Sequence, residues 1–406
     1  MAKLDANSEF ERGRELSVPV VKVPRSVKEW LCIDRAYENG NFKIEPMTGE
    51  AMYDQSYMFE DINYVNKDTA KKDSTLLEIM TLLKSLDGPF KITLANEQRD
   101  LDSFVNEIFN PINGQEYPVI EKGIGKWINQ KIDEGTRDIR KTMILTVTCR
   151  AHSLEEAEAY FATIDTTLSN IFRNLRSRIY KMSAEERMVL LSRMLRAGEE
   201  CLPPARISPH DSGWKNQILP ASIQSYTDYM VINNKQYISV LVGTAFGQSL
   251  SEDKVIHSLS DVLFPTYITI DMQRVPKNVI HDRLENAHAN NERVIAQERT
   301  RNYNNKQFGA TTSYSLTKKK TSLEDDMDQL DENDEEGVFL GLLVLVYADS
   351  LEELTQRVDI LKQKAKGSSY ELEPYYHRQL KALNTVLPIG GRQVNHMRFL
   401  YTSSAI

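Results

Sequence analysis

Twice along this chain an apolar, strand-like run gives way to helical spacing at the same kind of boundary. Residues 143–149 (MILTVTC) precede Ser153-Leu154-Glu155-Glu156. Apolar residues then fall at Leu154, Ala157, Phe161, Ile164, Leu168, Ile171 and Leu175. Residues 339–349 (FLGLLVLVYAD) precede an identical Ser350-Leu351-Glu352-Glu353, followed by Leu354, Val358, Leu361 and Ala365. The 3–4 spacing puts each set on one helix face. In each Ser-x-x-Glu the hydroxyl can accept from the N3 amide while the Glu reaches back, forming a capping box. A third box, Ser183-Ala184-Glu185-Glu186, opens a helix running to Arg196.

Other elements repeat in the same order. Residues 29–33 and 41–45 flank Tyr37-Glu38-Asn39-Gly40, and Asn-Gly tolerates the positive φ of a tight turn, so a β-hairpin is expected. Tyr57–Tyr64 is a strand candidate. A helix over Asp73–Leu86, stopped by Asp87-Gly88-Pro89, precedes the strand Phe90–Ala95. Helices are expected over Leu101–Phe109 and Val119–Asp133. In the second half, Tyr229–Ile232 and Gln236–Val242 flank an Asn-Asn-Lys turn. A helix over Ser251–Leu263, the strand Thr266–Asp271 and a long polar helix over Pro276–Arg301 follow. Ile92 and Ile268 are 176 positions apart, and Ser153 and Ser350 are 197 apart. The segment 304–337 absorbs the excess and reads as a polar, acidic segment that is either a solvent-exposed helical hairpin tip or a disordered insertion.

This order predicts an α/β (α+β) fold: two similar mixed-sheet lobes, helices packed on the sheets, and a protruding helical, acidic insertion. The expected divisions are a flexible arm at 1–24, a first lobe at 25–198 and a Pro-rich linker at 199–224. A second lobe at 225–384 and a connector at 385–406 complete the chain.

Composition changes this picture little. The 406 residues are 41% hydrophobic, enough for a large core, and the net charge of −8 rules out a generally basic nucleic-acid coat. Cys32, Cys149 and Cys201 are too dispersed for a disulfide framework and read as reduced thiols. No apolar leader opens the sequence. The run Val338–Ala348 is shorter than the roughly 20 residues of a membrane span.

The candidate chemistry is sparse. Gly123-Ile124-Gly125-Lys126 fails as a phosphate loop, because Ile120 stands where a Gly is required and Trp127 where a Ser or Thr is required. Leu342–Asp349 resembles a Walker B strand without a phosphate loop to serve. His281 and His288 are two helical turns apart, too far to grip one zinc ion. Asp325, Asp326, Asp328, Asp331, Glu332 and Asp334 lack the glycine register of a Ca²⁺ loop. With Lys318, Lys319 and Lys320 they form a sign-split segment suited to a partner. Arg173, Arg176, Arg178 and Lys181 read as a basic helix stripe that could meet DNA phosphates. No catalytic, cofactor or metal site is expected.

Residues 383–406 (LNTVLPIGGRQVNHMRFLYTSSAI), with the polar helix 276–301, the strand after it and the second Ser-Leu-Glu-Glu helix, resemble the conjugal-transfer ATPases of type IV secretion systems. The resemblance is to the VirB/TrbE/TraE type from Gram-positive conjugative elements. In that family an N-terminal α/β region ends in a Leu-Pro segment and an Arg with a Thr-Ser stretch, matched here by Arg398 and Thr402-Ser403. A RecA-like motor carrying Walker A and B follows. The resemblance implies a non-catalytic interaction module docking a motor to inner-membrane channel components for DNA or protein transfer. ATP and Mg²⁺ would belong to the motor. Implied partners are those components, other transfer ATPases and further copies of the chain, at the cytoplasmic face of the membrane. The alternative expectation is a nucleic-acid-binding accessory protein of a mobile element.

Overall fold

Side-chain alternation along the strands places the two faces of the sheet. On the strand Ile139–Arg150, Leu145, Val147 and Cys149 enter one hydrophobic cluster, while Ile144 enters another on the opposite face. Thr146 and Thr148 share the face of Ile144. The computed structural model describes residues 27–44, 51–62, 69–98, 139–196, 207, 213–246, 254–306, 312–332, 336–368 and 370–401. The 1–24 arm, the helices expected within 101–133, Gly123–Lys126, half of the 199–224 linker, Cys201 and Thr402-Ser403 lie outside them.

Thirteen strands among the described residues form one sheet. The first half contributes β1 (Ile33–Ala36), β2 (Phe42–Ile44), β3 (Met52–Phe59), β4 (Phe90–Gln98), β5 (Ile139–Arg150) and β6 (Ile179–Lys181). The second contributes β7 (Ile223–Ser225), β8 (Met230–Ile232), β9 (Gln236–Phe246), β10 (Thr266–Val275), β11 (Gly337–Ala348), β12 (Tyr370–Pro374) and β13 (Arg398–Tyr401). The longer helices are α1 (Thr69–Ser85), α2 (Leu154–Asn174), α3 (Ala184–Arg196), α4 (Lys277–Asn304), α5 (Tyr314–Glu332) and α6 (Leu351–Gly367), with the shorter α7 (Gln379–Val386) after them.

The mixed α/β class is as expected, but the arrangement of the halves differs. The two expected lobes share one sheet, joined where β4 pairs with β10, and every described ladder is antiparallel rather than mixed. The central order β3-β5-β4-β10-β11-β9 reads outward from β4/β10 as the same strand sequence in both directions. Central strands buried on both faces favour continuous apolar runs, which is why all twelve residues of β11 are buried.

On one face, α1 and α2 cover the first half through Leu83, Leu86, Phe161, Leu168 and Phe172. There α6 and the short helix Lys254–Ser260 cover the second half through Leu259, Leu354 and Leu361. Full burial of such side chains is worth about 1.5–3 kcal/mol each. On the other face, α3 and α7 supply Met188, Leu191, Leu195, Leu383 and Val386.

Both Ser-x-x-Glu helices are capped alike. Ser153 Oγ accepts from Glu156 N at 3.3 Å and Ser350 Oγ from Glu353 N at 3.2 Å. In both, the Glu carboxylate accepts from the residue before the serine, His152 N or Asp349 N, rather than from the serine itself. Only the Ser183 box closes on its own amide, Ser183 N donating to Glu186 at 2.7 Å. The expected hairpins form. Gly40 takes φ +89° in the first turn, and Asn233 and Asn234 take +51° and +55° in the second.

Two expectations are corrected. Residues 173–181 are not one helix. Arg176 adopts φ +58°, Arg176 N donates to Arg173 O and Ser177 N to Phe172 O, a Schellman stop, and the chain continues as β6. Residues 385–401 do not lead off the fold as a connector. They lie across the sheet and end in β13, paired with β11.

Candidate functional site

A polar seam crosses the middle of the sheet on the α3/α7 face. The ladders align Ser56, Thr146, Lys91, Asp271 and Gly341 in one row over β3, β5, β4, β10 and β11. Asp54 and Thr148 pair in the adjoining row, and Thr93 and Thr269 lie on the other side. Strand alternation puts all of them on one face, where a polar group needs a partner once covered. The cover is the turn after α7, Leu387-Pro388-Ile389-Gly390-Gly391-Arg392.

The seam binds that turn mainly through its backbone. Lys91 Nζ donates to Thr385 O at 2.7 Å, Gly391 O at 2.6 Å and Leu387 O at 3.4 Å. Thr269 Oγ1 donates to Val386 O at 2.6 Å, and Ser56 Oγ to Pro388 O at 3.3 Å. Arg187, from α3, reaches Pro388 O, Gly40 O and Asp54 O, and its Nη2 lies 2.7 Å from Asp54 Oδ1. Asp54 also accepts from Gly390 N. Arg392 returns the contact, with Nε and Nη2 each 2.6 Å from the two Asp271 oxygens and Nη1 2.7 Å from Gln273. Such a fork is the strongest ordinary carboxylate geometry.

The close approach requires glycine. A Cβ on Gly390 would stand 2.6 Å from Thr148 Oγ1 and 2.8 Å from its Cγ2, and one on Gly391 would stand 2.9 Å from Cys32 Cβ. Upstream, Asn384 ties the same segment to the N-terminal half, accepting from Cys32 N and donating to Trp30 O at 2.8 Å. Thr385 Oγ1 accepts from Gln393 N and Val394 N, closing the turn on itself.

Burial sets the electrostatics. Loss of water drives the Lys91 ammonium down to about 8, against the opposing pull of Asp271. Burial raises the Asp54 carboxyl, with Arg187 and the Gly390 amide acting against it. These groups already have main-chain or ionic partners. Among the described residues, the charged groups of the seam are engaged in holding a segment of chain.

None of the candidate site residues named from the sequence lies in this seam, although the segment 383–406 that carries the resemblance supplies its cover. Arg173, Arg176, Arg178 and Lys181 are exposed on three separate elements. Arg173 bonds Asn170, Arg178 faces Glu60 at 3.9 Å and Lys181 faces Asp165 at 3.4 Å, so no single stripe exists. Within the segment 304–337, the described helix α5 packs along α4 as a helical hairpin, the first of the two alternatives the sequence left open. Lys318 and Lys319 are exposed on α5, and Lys320 pairs with Glu292 at 2.7 Å. Asp325 and Asp328 are exposed, whereas Asp326 is buried and its carbonyl accepts from Tyr401 Oη at 3.4 Å. His288 pairs with Glu324, and His281 with Asp282 and Glu285 makes a surface cluster without further ligands among the described residues. Asp349 follows a core strand, and its N–H donates to Glu353 of the cap.

The seam residues Asp54, Lys91, Arg187, Asp271 and Arg392 were missed. Their signal was present: Lys91 in FKITLA and Asp271 in TYITID are charges inside strands that are otherwise apolar or uncharged. Among the described residues, no helix is long and apolar enough to cross a membrane. No family model matches the chain, and no curated protein matches it.

Proposed function

We propose that the chain is the N-terminal, non-catalytic interaction region of a conjugal-transfer ATPase of a type IV secretion system. In this reading it holds a motor against inner-membrane channel components at the cytoplasmic face, for transfer of DNA or protein. The observation that carries the reading is the burial of residues 385–392 across the seam. This segment, with its Leu-Pro, is one part of what carries the resemblance, and it touches β3, β5 and β4 of the first half and β10 of the second.

A segment held this way suits an anchor. Force applied beyond Tyr401 would load β13, the Arg392–Asp271 fork and the Lys91 contacts before either half could shift alone. No phosphate loop occurs in the sequence, so ATP and Mg²⁺ are assigned to the motor and not to this chain. The basic residues that motivated a nucleic-acid reading are dispersed, and that alternative ranks second.

Two measurements test the proposal. The reading frame after Ile406 should encode Gly-x-x-x-x-Gly-Lys-Ser/Thr; a frame without it removes the ATPase assignment. Titration calorimetry of the purified chain with Mg-ATP should show no binding, and micromolar affinity would overturn the non-catalytic part.

A further inference from the structure

The hairpin of α4 and α5 separates its charges along its length. Its pairing fixes the direction: Asn291 Nδ2 donates to Leu316 O, Lys320 meets Glu292, and Ser313 N donates to Glu298. The base is buried through Ile280, Leu284, Leu323 and Leu330 against Phe339 and Tyr401. Beyond Glu292 the hairpin runs into solvent.

That outer part carries Arg293, Arg299, Arg301, Lys306, Lys318 and Lys319, all exposed, with Glu298 as its one acidic residue among those described. None of the six cations forms an ion pair with a described residue. Lys320, at the boundary, is neutralised by Glu292 and Glu324. The inner part of α5 bears Glu324, Asp325, Asp326, Asp328, Asp331 and Glu332 and no basic residue. Tyr303 and Tyr314, 69% and 79% exposed, stand among the outer cations, with Val294 45% exposed below them.

We infer that this hairpin apex docks on an anionic lipid surface. Clustered Lys and Arg near a negatively charged leaflet each add attraction, and tyrosines suit the polar–apolar boundary of a bilayer. A projecting rod presents its end to a broad, flat surface, and the acidic base would orient it apex-first by repulsion. The inference deepens the proposed function by naming the surface that meets the membrane.

Co-sedimentation of the purified chain with vesicles tests it. Vesicles of phosphatidylcholine containing phosphatidylglycerol should retain the chain, phosphatidylcholine alone should not, and high salt should release it. The variant R299E/K318E/K319E should bind the anionic vesicles at least about tenfold more weakly. R176E/R178E, on another face, should bind like the wild type. Thermal melting checks that the triple variant is folded, and R299Q/K318Q/K319Q provides a milder replacement with a smaller loss in the same direction. Equal binding to neutral vesicles, no binding to either kind, or undiminished binding by both apex variants overturns the inference. So does a preference for duplex DNA that displaces the vesicles, or an apex-dependent dimer without vesicle binding. A motor motif after Ile406 with no vesicle binding would remove the apex alone, and vesicle binding without that motif would remove the ATPase assignment alone.

Discussion

Thr93 and Thr269 are 176 positions apart in the chain, directly opposite each other in the β4–β10 ladder, and their Oγ1 atoms are 3.2 Å apart. The same separation relates Ile92 to Ile268, equivalent positions of the repeated element order. A position that pairs with its own counterpart lies on the two-fold axis of the arrangement. The halves are therefore related as the two partners of an isologous interface are, but within one chain and one sheet.

The matched caps should behave as counterparts. Ser153→Ala and Ser350→Ala each remove an accepting hydroxyl from an N3 amide and should each cost about 1 kcal/mol. Urea unfolding of both variants checks this, and a loss confined to one helix would contradict equal roles.

The Asp54–Arg187 pair is fully buried, with side chains 0% and 2% exposed. Truncating either partner strands the other charge, so Arg187→Ala should cost about 3–5 kcal/mol. The double variant Asp54→Ala with Arg187→Ala should lose much less than the sum of the singles. Additive losses would show that the pair does not act as a unit.

Lys91 predicts a pH dependence of known sign. Its folded value of about 8 lies below the ordinary 10.5. Between the two, the unfolded chain keeps a proton that the folded chain has released, so folding gains as pH rises through that window. The stability difference between wild type and Lys91→Met should shift by about 3 kcal/mol in favour of wild type from about pH 8 to about pH 10.5. Differencing cancels the titrating groups remote from Lys91. A flat difference would show that Lys91 remains charged in the fold.

Gly390 should be rescuable. Its Cβ would collide with the Thr148 side chain, which can be removed, and would stand 3.3 Å from Asp54 Cβ. Gly390→Ala should destabilise by about 1–3 kcal/mol. Adding Thr148→Ala should recover part of that loss, although Thr148→Ala alone destabilises. No recovery would mean that the strain lies in the backbone. Hydrogen exchange should show residues 385–401 opening first in Gly390→Ala, before β4 and β5.

Local order was legible in the sequence because its causes are local. Capping serines, apolar spacing and Asn-Gly or Asn-Asn turns fix helices and hairpins through contacts a few residues long. They gave the strand–helix units, their repetition and the mixed α/β class, and left the 304–337 segment open between a helical hairpin tip and a disordered insertion. The helix expected over 173–181 failed because Arg176 takes a left-handed conformation more often filled by Gly or Asn, so composition gave no warning. Only the tertiary structure decided how the units meet. Ladder bonds between β4 and β10 use backbone groups that every strand offers, so no residue type announces which edges will pair. The seam likewise unites Asp54 with Arg187, 133 positions away along the chain, and Lys91 with carbonyls about 300 positions away. Alone, Asp54 and Lys91 are charges at strand positions and Arg187 is a charge on a helix. Burial under the Gly390–Gly391 turn makes each one another's partner, and that requirement exists only once water has been excluded.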